Sequence, residues 1–221
     1  MANPCRIKVL MNPLGLVVLF LFLFSACSDD DVDYGYGEYK VDIVTYLAPN
    51  SFLLDNGKTA YNVEPKTSRE YEEGDRIWLH YSFLPDIKSG YDFAIRVNGS
   101  SKITKSKLLP VKADTIGDFK NDPIQFESAW IGSHYLNMQF YMDFKSEPHQ
   151  IALITDSKKL KNDSIWIYFR HDINNDPPGY ANHVIASFDL KELLGEPQHN
   201  KVLFVNFNTS NYGDKMLELK Y

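Results

Sequence analysis

The chain has 221 residues, two cysteines and a formal net charge of −6. A composition of 44% hydrophobic, 14% aromatic and 24% charged residues excludes a disordered chain, a collagen-like repeat and a coiled coil. The acidic balance, with a pI near 5.5, argues against nucleic acid as a partner, because phosphate recognition needs a clustered basic footprint.

Arg6 and Lys8 precede an apolar run of 11 residues at 14–24. A bilayer-spanning helix needs about 20 such residues and a secretory apolar region about 7–15, so residues 1–26 read as a signal peptide. The run ends in Phe24-Ser25-Ala26-Cys27, which resembles the lipobox of bacterial lipoproteins, with Phe24 where leucine is usual. That resemblance implies acylation of Cys27, which would tie the chain to a membrane. Cleavage before Cys27 removes 26 residues, including both basic ones, and leaves 195 residues with a net charge of −8. No thiol then remains for a disulfide, a metal or a nucleophile. Ser28, Asp29, Asp30 and Asp31 follow the anchor and resemble the export signal of Bacteroidota lipoproteins. This implies display on the outer face of the outer membrane; the alternative is the periplasmic face, with the acidic run a solvated tether. Residues 27–37 are read as that lipidated tether.

Beyond residue 37 the apolar period is two, the period of half-buried strands. Ile77, Leu79, Tyr81 and Phe83 share one face, opposite Arg76, Trp78, His80 and Ser82. Phe93, Ile95 and Val97 repeat the pattern. Leu136, Met138, Phe140, Met142 and Phe144 form the longest stripe. Further strands are expected at 41–47, 151–155, 165–169, 184–188 and 202–207. Asp55-Asn56-Gly57 is a hairpin signal, because Asn and Gly tolerate positive φ. One short helix is expected at 189–194, with Asp189 and Glu192 as a capping box and Gly195 as its stop. The fold class is all-β. A composition shift over 112–123 divides the body, so the expected domains are 38–115 and 118–221. About five strands in the first suit a small barrel, and about seven in the second suit a sandwich.

The mature chain resembles the NigD-like lipoproteins of the Bacteroidota. The residues that carry the resemblance are the Cys27-Ser28-Asp29-Asp30-Asp31 start, Asn121-Asp122-Pro123-Ile124, and Trp130-Ile131-Gly132 followed by Tyr135-Leu136-Asn137. Arg170-His171-Asp172 with Asn175-Asp176, and Ser187-Phe188-Asp189-Leu190, continue it, with Asp172 where the family more often has Asn. Membership implies an N-terminal OB-like barrel followed by a C-terminal immunoglobulin-like β-sandwich. It also implies a role near bacteriocin production or immunity, with no catalytic residues to carry over.

Catalytic and metal signatures are missing. No two of the six histidines have the i, i+4 spacing that shares a zinc on a helix; His171, beside Arg170 and Asp172, is the most suggestive. Asp172, Asn174 and Asp176 open like a calcium loop, but Pro177 and His183 stand where Gly and the bidentate Glu belong. An Asx-rich turn is the simpler reading. There is no Gly-x-Ser-x-Gly elbow and no phosphate loop. Lys102, Lys105 and Lys107 read as a solvated face. Trp166 and Tyr168 alternate with Ile165, Ile167 and Phe169; a strand packed on both sides is expected, with a sugar-stacking platform the alternative. Trp130 reads as core. Asp114-Thr115-Ile116 and Asp163-Ser164-Ile165 resemble the O-glycosylation site of Bacteroidota envelope proteins, which marks Thr115 and Ser164. The expectation is a non-enzymatic, lipid-anchored envelope protein with no metal or cofactor. Its partner would be an envelope or extracellular protein, or a glycan, and a purely structural envelope role is the further alternative.

Overall fold

The computed structural model describes residues 38–64, 71–197 and 200–221. Cys27, Ser28, Asp29, Asp30 and Asp31 lie outside them. Five strands close the first barrel: β1 (Tyr39–Leu47), β2 (Ser51–Leu54), β3 (Thr59–Asn62), β4 (Arg76–Leu84) and β5 (Phe93–Lys102), in the order β1-β2-β3-β5-β4. β4 antiparallel to β1 closes the ring, and β3 runs parallel to β5. This is the partly Greek-key arrangement of an OB barrel. Closure follows the period-two pattern: Ile77, Leu79, Tyr81 and Phe83 are at most 3% exposed and fill the interior. Each such side chain contributes roughly 1.5–3 kcal/mol by leaving water. The Asp55-Asn56-Gly57 turn joins β2 to β3 as expected, with Gly57 at φ 84° and Leu54 N–H donating to the Lys58 carbonyl at 2.8 Å.

The second half holds eight strands: β6 (Thr104–Val111), β7 (Gln125–Gly132), β8 (Tyr135–Phe144), β9 (Gln150–Asp156), β10 (Ser164–Asp172), β11 (Tyr180–Asp189), β12 (Val202–Thr209) and β13 (Gly213–Lys220). The domain boundary expected over 112–123 is displaced. A single residue, Ile103, separates β5 from β6, and β6 belongs to the sandwich. Thr104–Lys107 pairs with β11, and Leu108–Val111 pairs with β9. β6 therefore turns the corner between two faces, as sandwich corner strands do. Residues 112–123 are a connection inside the sandwich, and their 3-10 turn (Ala113–Asp118) packs on β9.

Leu136, Met138 and Phe140 of β8 and Phe188 of β11 meet Leu153, Ile165, Ile167, Phe169, Leu203 and Val205 in the sandwich core. The side chains between them on β8, Asn137, Gln139 and Tyr141, therefore face outward. The short helix α1 (Lys191–Leu194) ends at Gly195 with φ 77°, but the capping box does not form. Asp189 accepts the Lys191 N–H at 2.9 Å, while Glu192 turns away to Lys107 at 3.1 Å. Among the described residues no helix is long and apolar enough to cross a membrane.

Candidate functional site: the cleft between barrel and sandwich

The barrel sits on the outward face of β8 and β11 through one buried arginine. Arg76, the first residue of β4, lies on the polar face of its strand, yet it is fully buried because the sandwich covers it. Its guanidinium forms a two-pronged pair with Asp55 at 2.7 and 2.8 Å. It also donates to Thr45 Oγ1 at 3.0 Å, to Asn137 Oδ1 at 3.1 Å and to Ser187 Oγ at 3.3 Å. The Tyr135 ring lies 4.1 Å from the guanidinium carbon. Asn137 Nδ2 donates to Asp55 at 3.1 Å, and the Ser187 hydroxyl donates to Asn137 at 2.5 Å. A buried charge is tolerable only when it is paired and its donors are used, and both conditions hold here. Gly132 allows the approach, since a Cβ there would overlap the Asp55 carboxylate.

Beside this junction the two domains leave a cleft. One cavity of about 300 Å³ lies between Asp42, Asp55 and Asn56 of the barrel and Trp130 and Gln139 of the sandwich. A second of about 450 Å³ lies between Ser101 and Lys102 on one side and Asn182 and Ile185 on the other. Trp78 lines both, and Gln139 and Ile185, one in each cavity, are register partners on β8 and β11. The two cavities thus flank one indole that overhangs a shared floor. Trp130 is half-buried in this cleft rather than in the core. Its place follows from pairing with Asn137, whose side chain points to the barrel.

Trp166 also departs from expectation. The strand is covered on one side only, and Trp166 is 41% exposed on the outer face of β10. It stacks on Phe204 with centroids 5.1 Å apart, and the Arg170 guanidinium lies 5.1 Å from the half-buried Tyr168 ring. The 3-10 turn packs on the neighbouring β9.

A buried polar relay occupies one end of the sandwich. Asp176 accepts the backbone N–H groups of Lys145, Ser146 and Glu147 at 2.6, 3.0 and 3.0 Å. Burial pushes its carboxyl up, but these N–H donors and His149 outweigh it and hold it well below the usual carboxylate range. His149 Nε2 lies 3.3 Å from Asp176, His149 Nδ1 lies 2.9 Å from His171 Nε2, and His171 Nδ1 lies 3.3 Å from the Asp122 carbonyl. Both ends of this chain only accept. Three links need three protons, and two neutral imidazoles carry two. Burial lowers the His171 pKa and the neighbouring His149 lowers it further, so His171 itself resists taking the third proton. No group of three metal-ligating side chains that could hold an ion occurs among the described residues. Asp172 closes an Asx turn onto Asn174 N–H at 2.8 Å, so the calcium-like spacing resolves into turn chemistry plus one saturated carboxylate.

The other candidates stand apart. Lys102 pairs with Asp75 at 2.8 Å, Lys105 donates to the Gly74 carbonyl at 2.7 Å, and Lys107 pairs with Glu192. The three are thus partnered within the protein, with no common phosphate-binding row. Ser164 is exposed at the start of β10, whereas Thr115 is half-buried and donates its hydroxyl to the Lys112 carbonyl at 2.9 Å. Sequence reasoning did not find Arg76, Asp55, Asn137, Ser187 or Trp78 as a group. The one available signal was an arginine on an otherwise half-exposed strand face.

Comparison with known proteins agrees with this architecture. No curated protein matches the chain. A crystal structure of a protein of unknown function from Bacteroides vulgatus superposes with a TM-score of 0.72 at 22% identity, covering 83% of this chain and 91% of that one. A toxin-related protein from Parabacteroides distasonis gives 0.67 at 24% identity, covering 83% and 93%. A NigD-like immunity protein from Bacteroides caccae gives 0.57 at 18% identity, covering 82% and 90%. At these identities the likeness is one of fold. Residues 44–103 match the NigD-like N-terminal OB domain, and residues 107–221 match the NigD-like C-terminal β-sandwich domain, so the chain belongs to the NigD-like family.

Proposed function

We propose that this protein is a non-enzymatic binding protein of the bacterial envelope, associated with bacteriocin action in an immunity or accessory role. The observation that carries the reading is the match of both NigD-like domains, in order, across the body of the chain. The toxin-related and immunity-protein neighbours support it. The geometry is consistent with binding: Asp55 pairs with Arg76, Asp176, His149 and His171 form a relay, and the cleft is lined by aromatic and amide side chains. Acylation of Cys27 would tether the body to the outer membrane, and Ser28, Asp29, Asp30 and Asp31 would direct it to the cell surface. Exposed Ser164, and less readily Thr115, would carry O-linked sugar.

The test is a deletion strain challenged with bacteriocins from sibling strains. Greater sensitivity is expected, restored by the wild-type gene and not by Cys27→Ala. Unchanged sensitivity sinks the immunity reading. Proteolysis of intact cells tests the face: loss of the protein before lysis supports surface display, and protection until lysis supports the periplasmic face.

A second reading, capture of a glycan or host ligand, is favoured by the aromatic side chains left on the surface: Trp166 on β10, and Trp78 and Trp130 in the cleft.

A further inference from the structure

We infer that the cleft between barrel and sandwich is a binding site for an uncharged oligosaccharide. This rests on the second reading above and is independent of the bacteriocin association.

The first argument is shape. Ligand sites favour concave junctions between domains, in cavities of roughly 300–1,000 Å³. The two cavities here, about 300 and 450 Å³, lie on either side of Trp78 over a common floor. That is room for successive rings along one groove, with an indole between them. Trp130 lines the first cavity opposite the barrel wall. The indole face is the largest flat apolar surface a side chain offers, and it suits the apolar face of a pyranose. The Trp166 stripe lacks the concavity. It lies on an open sheet face, and one side of Trp166 is already taken by Phe204.

The second argument is polarity. Sugar hydroxyls need donors and acceptors without net charge, and the lining supplies side-chain amides and hydroxyls: Asn56 and Gln139 in one cavity, Ser101, Thr104 and Asn182 in the other. Gln139 accepts the Ser128 hydroxyl through Oε1 at 3.1 Å, and its amide nitrogen has no partner among the described residues. The polar side chains of the lining that could carry charge are engaged within the protein: Asp55 with Arg76, Lys102 with Asp75, and the His183 ring with Glu127 at 3.1 Å. Asp42 carries the Tyr81 hydroxyl at 2.7 Å and still adds negative charge. An anionic ligand would therefore find no open cation and one repelling carboxylate.

The third argument concerns a peptide. Extended peptides bind by adding to a free strand edge. Along the cleft β4 and β8 are paired on both sides, so their ladder groups are used, whereas residues 41–43 of β1 and 182–185 of β11 pair on one side only and β7 is the edge of its sheet. β4 and β8 carry Trp78 and Gln139 and offer a ligand side chains alone, the recognition mode of sugars; the peptide arm of the experiment tests the one-sided stretches.

The cleft is also preorganised. Its inner end is the Arg76 network, which locks the barrel wall to the sandwich floor. Little ordering would remain to be done on binding.

The experiment is titration of the mature body, residues 28–221, with neutral oligosaccharides of two to six hexose units. It is read by calorimetry and by tryptophan fluorescence, with polygalacturonate and an unstructured peptide as comparators. At least one neutral oligosaccharide is expected to bind and quench fluorescence. Affinity should fall at least tenfold in Trp130→Ala and in Gln139→Ala. The Gln139 variant alters only an outward side chain of β8, so it keeps the test valid if Trp130→Ala fails to fold. Binding that survives both variants but is lost in Trp166→Ala overturns the cleft and keeps the glycan reading. Binding of polygalacturonate alone overturns the uncharged ligand and keeps the glycan reading; binding of the peptide alone, or of nothing in the panel, overturns both.

Discussion

His149, His171 and Asp176 show how burial decides what a titratable group does. Asp176 has three backbone N–H donors and stays ionised, while His171 has lost water and faces another imidazole, so its protonation is disfavoured. The two shifts act in the same direction on stability. An unfolded histidine takes up a proton near pH 6.5, before folded His171 does, so the unfolded chain binds more protons and stability falls as pH drops through that value. Asp176 is depressed, so its contribution is present above the unfolded carboxylate value near 3.8 and is lost as pH falls below it. Urea midpoints measured from pH 7.5 to 5 should therefore decline for the wild type. His171→Asn should be less stable at pH 7.5 yet show a flatter decline. Parallel curves for the two proteins would remove His171 as the cause.

The elements legible in the sequence were those with long, uninterrupted alternation. β4, β8 and β10 appear where their stripes stand, because a strand with one wet face writes its burial into every second residue. β2 and β3 have four residues each, too few for a period to show. β7 carries a bulge between Phe126 and Ser128 that shifts its faces mid-strand, and β13 is an edge strand exposed over its first half. β6 was hidden for a different reason. It pairs in parallel with β11 and β9, whose partner residues begin 45 and more positions later, so nothing local marks it as a corner. The cleft was hidden in the same way. Asp55, Arg76, Asn137 and Ser187 come from both domains, and only the stacking of barrel on sandwich gathers them. Gly132, at the end of β7, is the element-scale check on that stacking. Gly132→Ala places a methyl group against the Asp55 carboxylate and the Asn137 amide, an overpacking that costs about 1–3 kcal/mol. The expected result is a lowered thermal midpoint with unchanged far-UV circular dichroism. A variant as stable as wild type would mean that the approach of the two domains is looser than the structure shows.

At the scale of the molecule, the two domains differ in how much they need each other. The barrel spans only residues 39–102, and a unit of about 60 residues buries too little surface to be more than marginally stable alone. The sandwich has its own continuous core. They are joined by the single-residue passage at Ile103, whose N–H donates to the Arg76 carbonyl at 3.0 Å, by the Ser133 N–H to the Asp55 carbonyl at 3.0 Å, by Lys105 to the Gly74 carbonyl, and by the charged network of Arg76 itself. Removing one member of a buried ion pair costs about 3–5 kcal/mol, because the other is left without its counter-charge. In Arg76→Met, Asp55 retains the Asn137 amide but loses both guanidinium bonds, and Asn137 and Ser187 each lose a donor. The weaker partner should feel this first. Differential scanning calorimetry of the wild type should give one cooperative transition whose calorimetric and van't Hoff enthalpies agree. Arg76→Met should give two, with the barrel melting below the sandwich. The paired variant Arg76→Met with Asp55→Asn should recover part of the loss, since it removes the stranded carboxylate along with its partner. A single transition in Arg76→Met at the wild-type temperature would show that the remaining contacts between the domains, such as the Ser133 and Lys105 bonds, rather than the buried charge, hold the barrel to the sandwich.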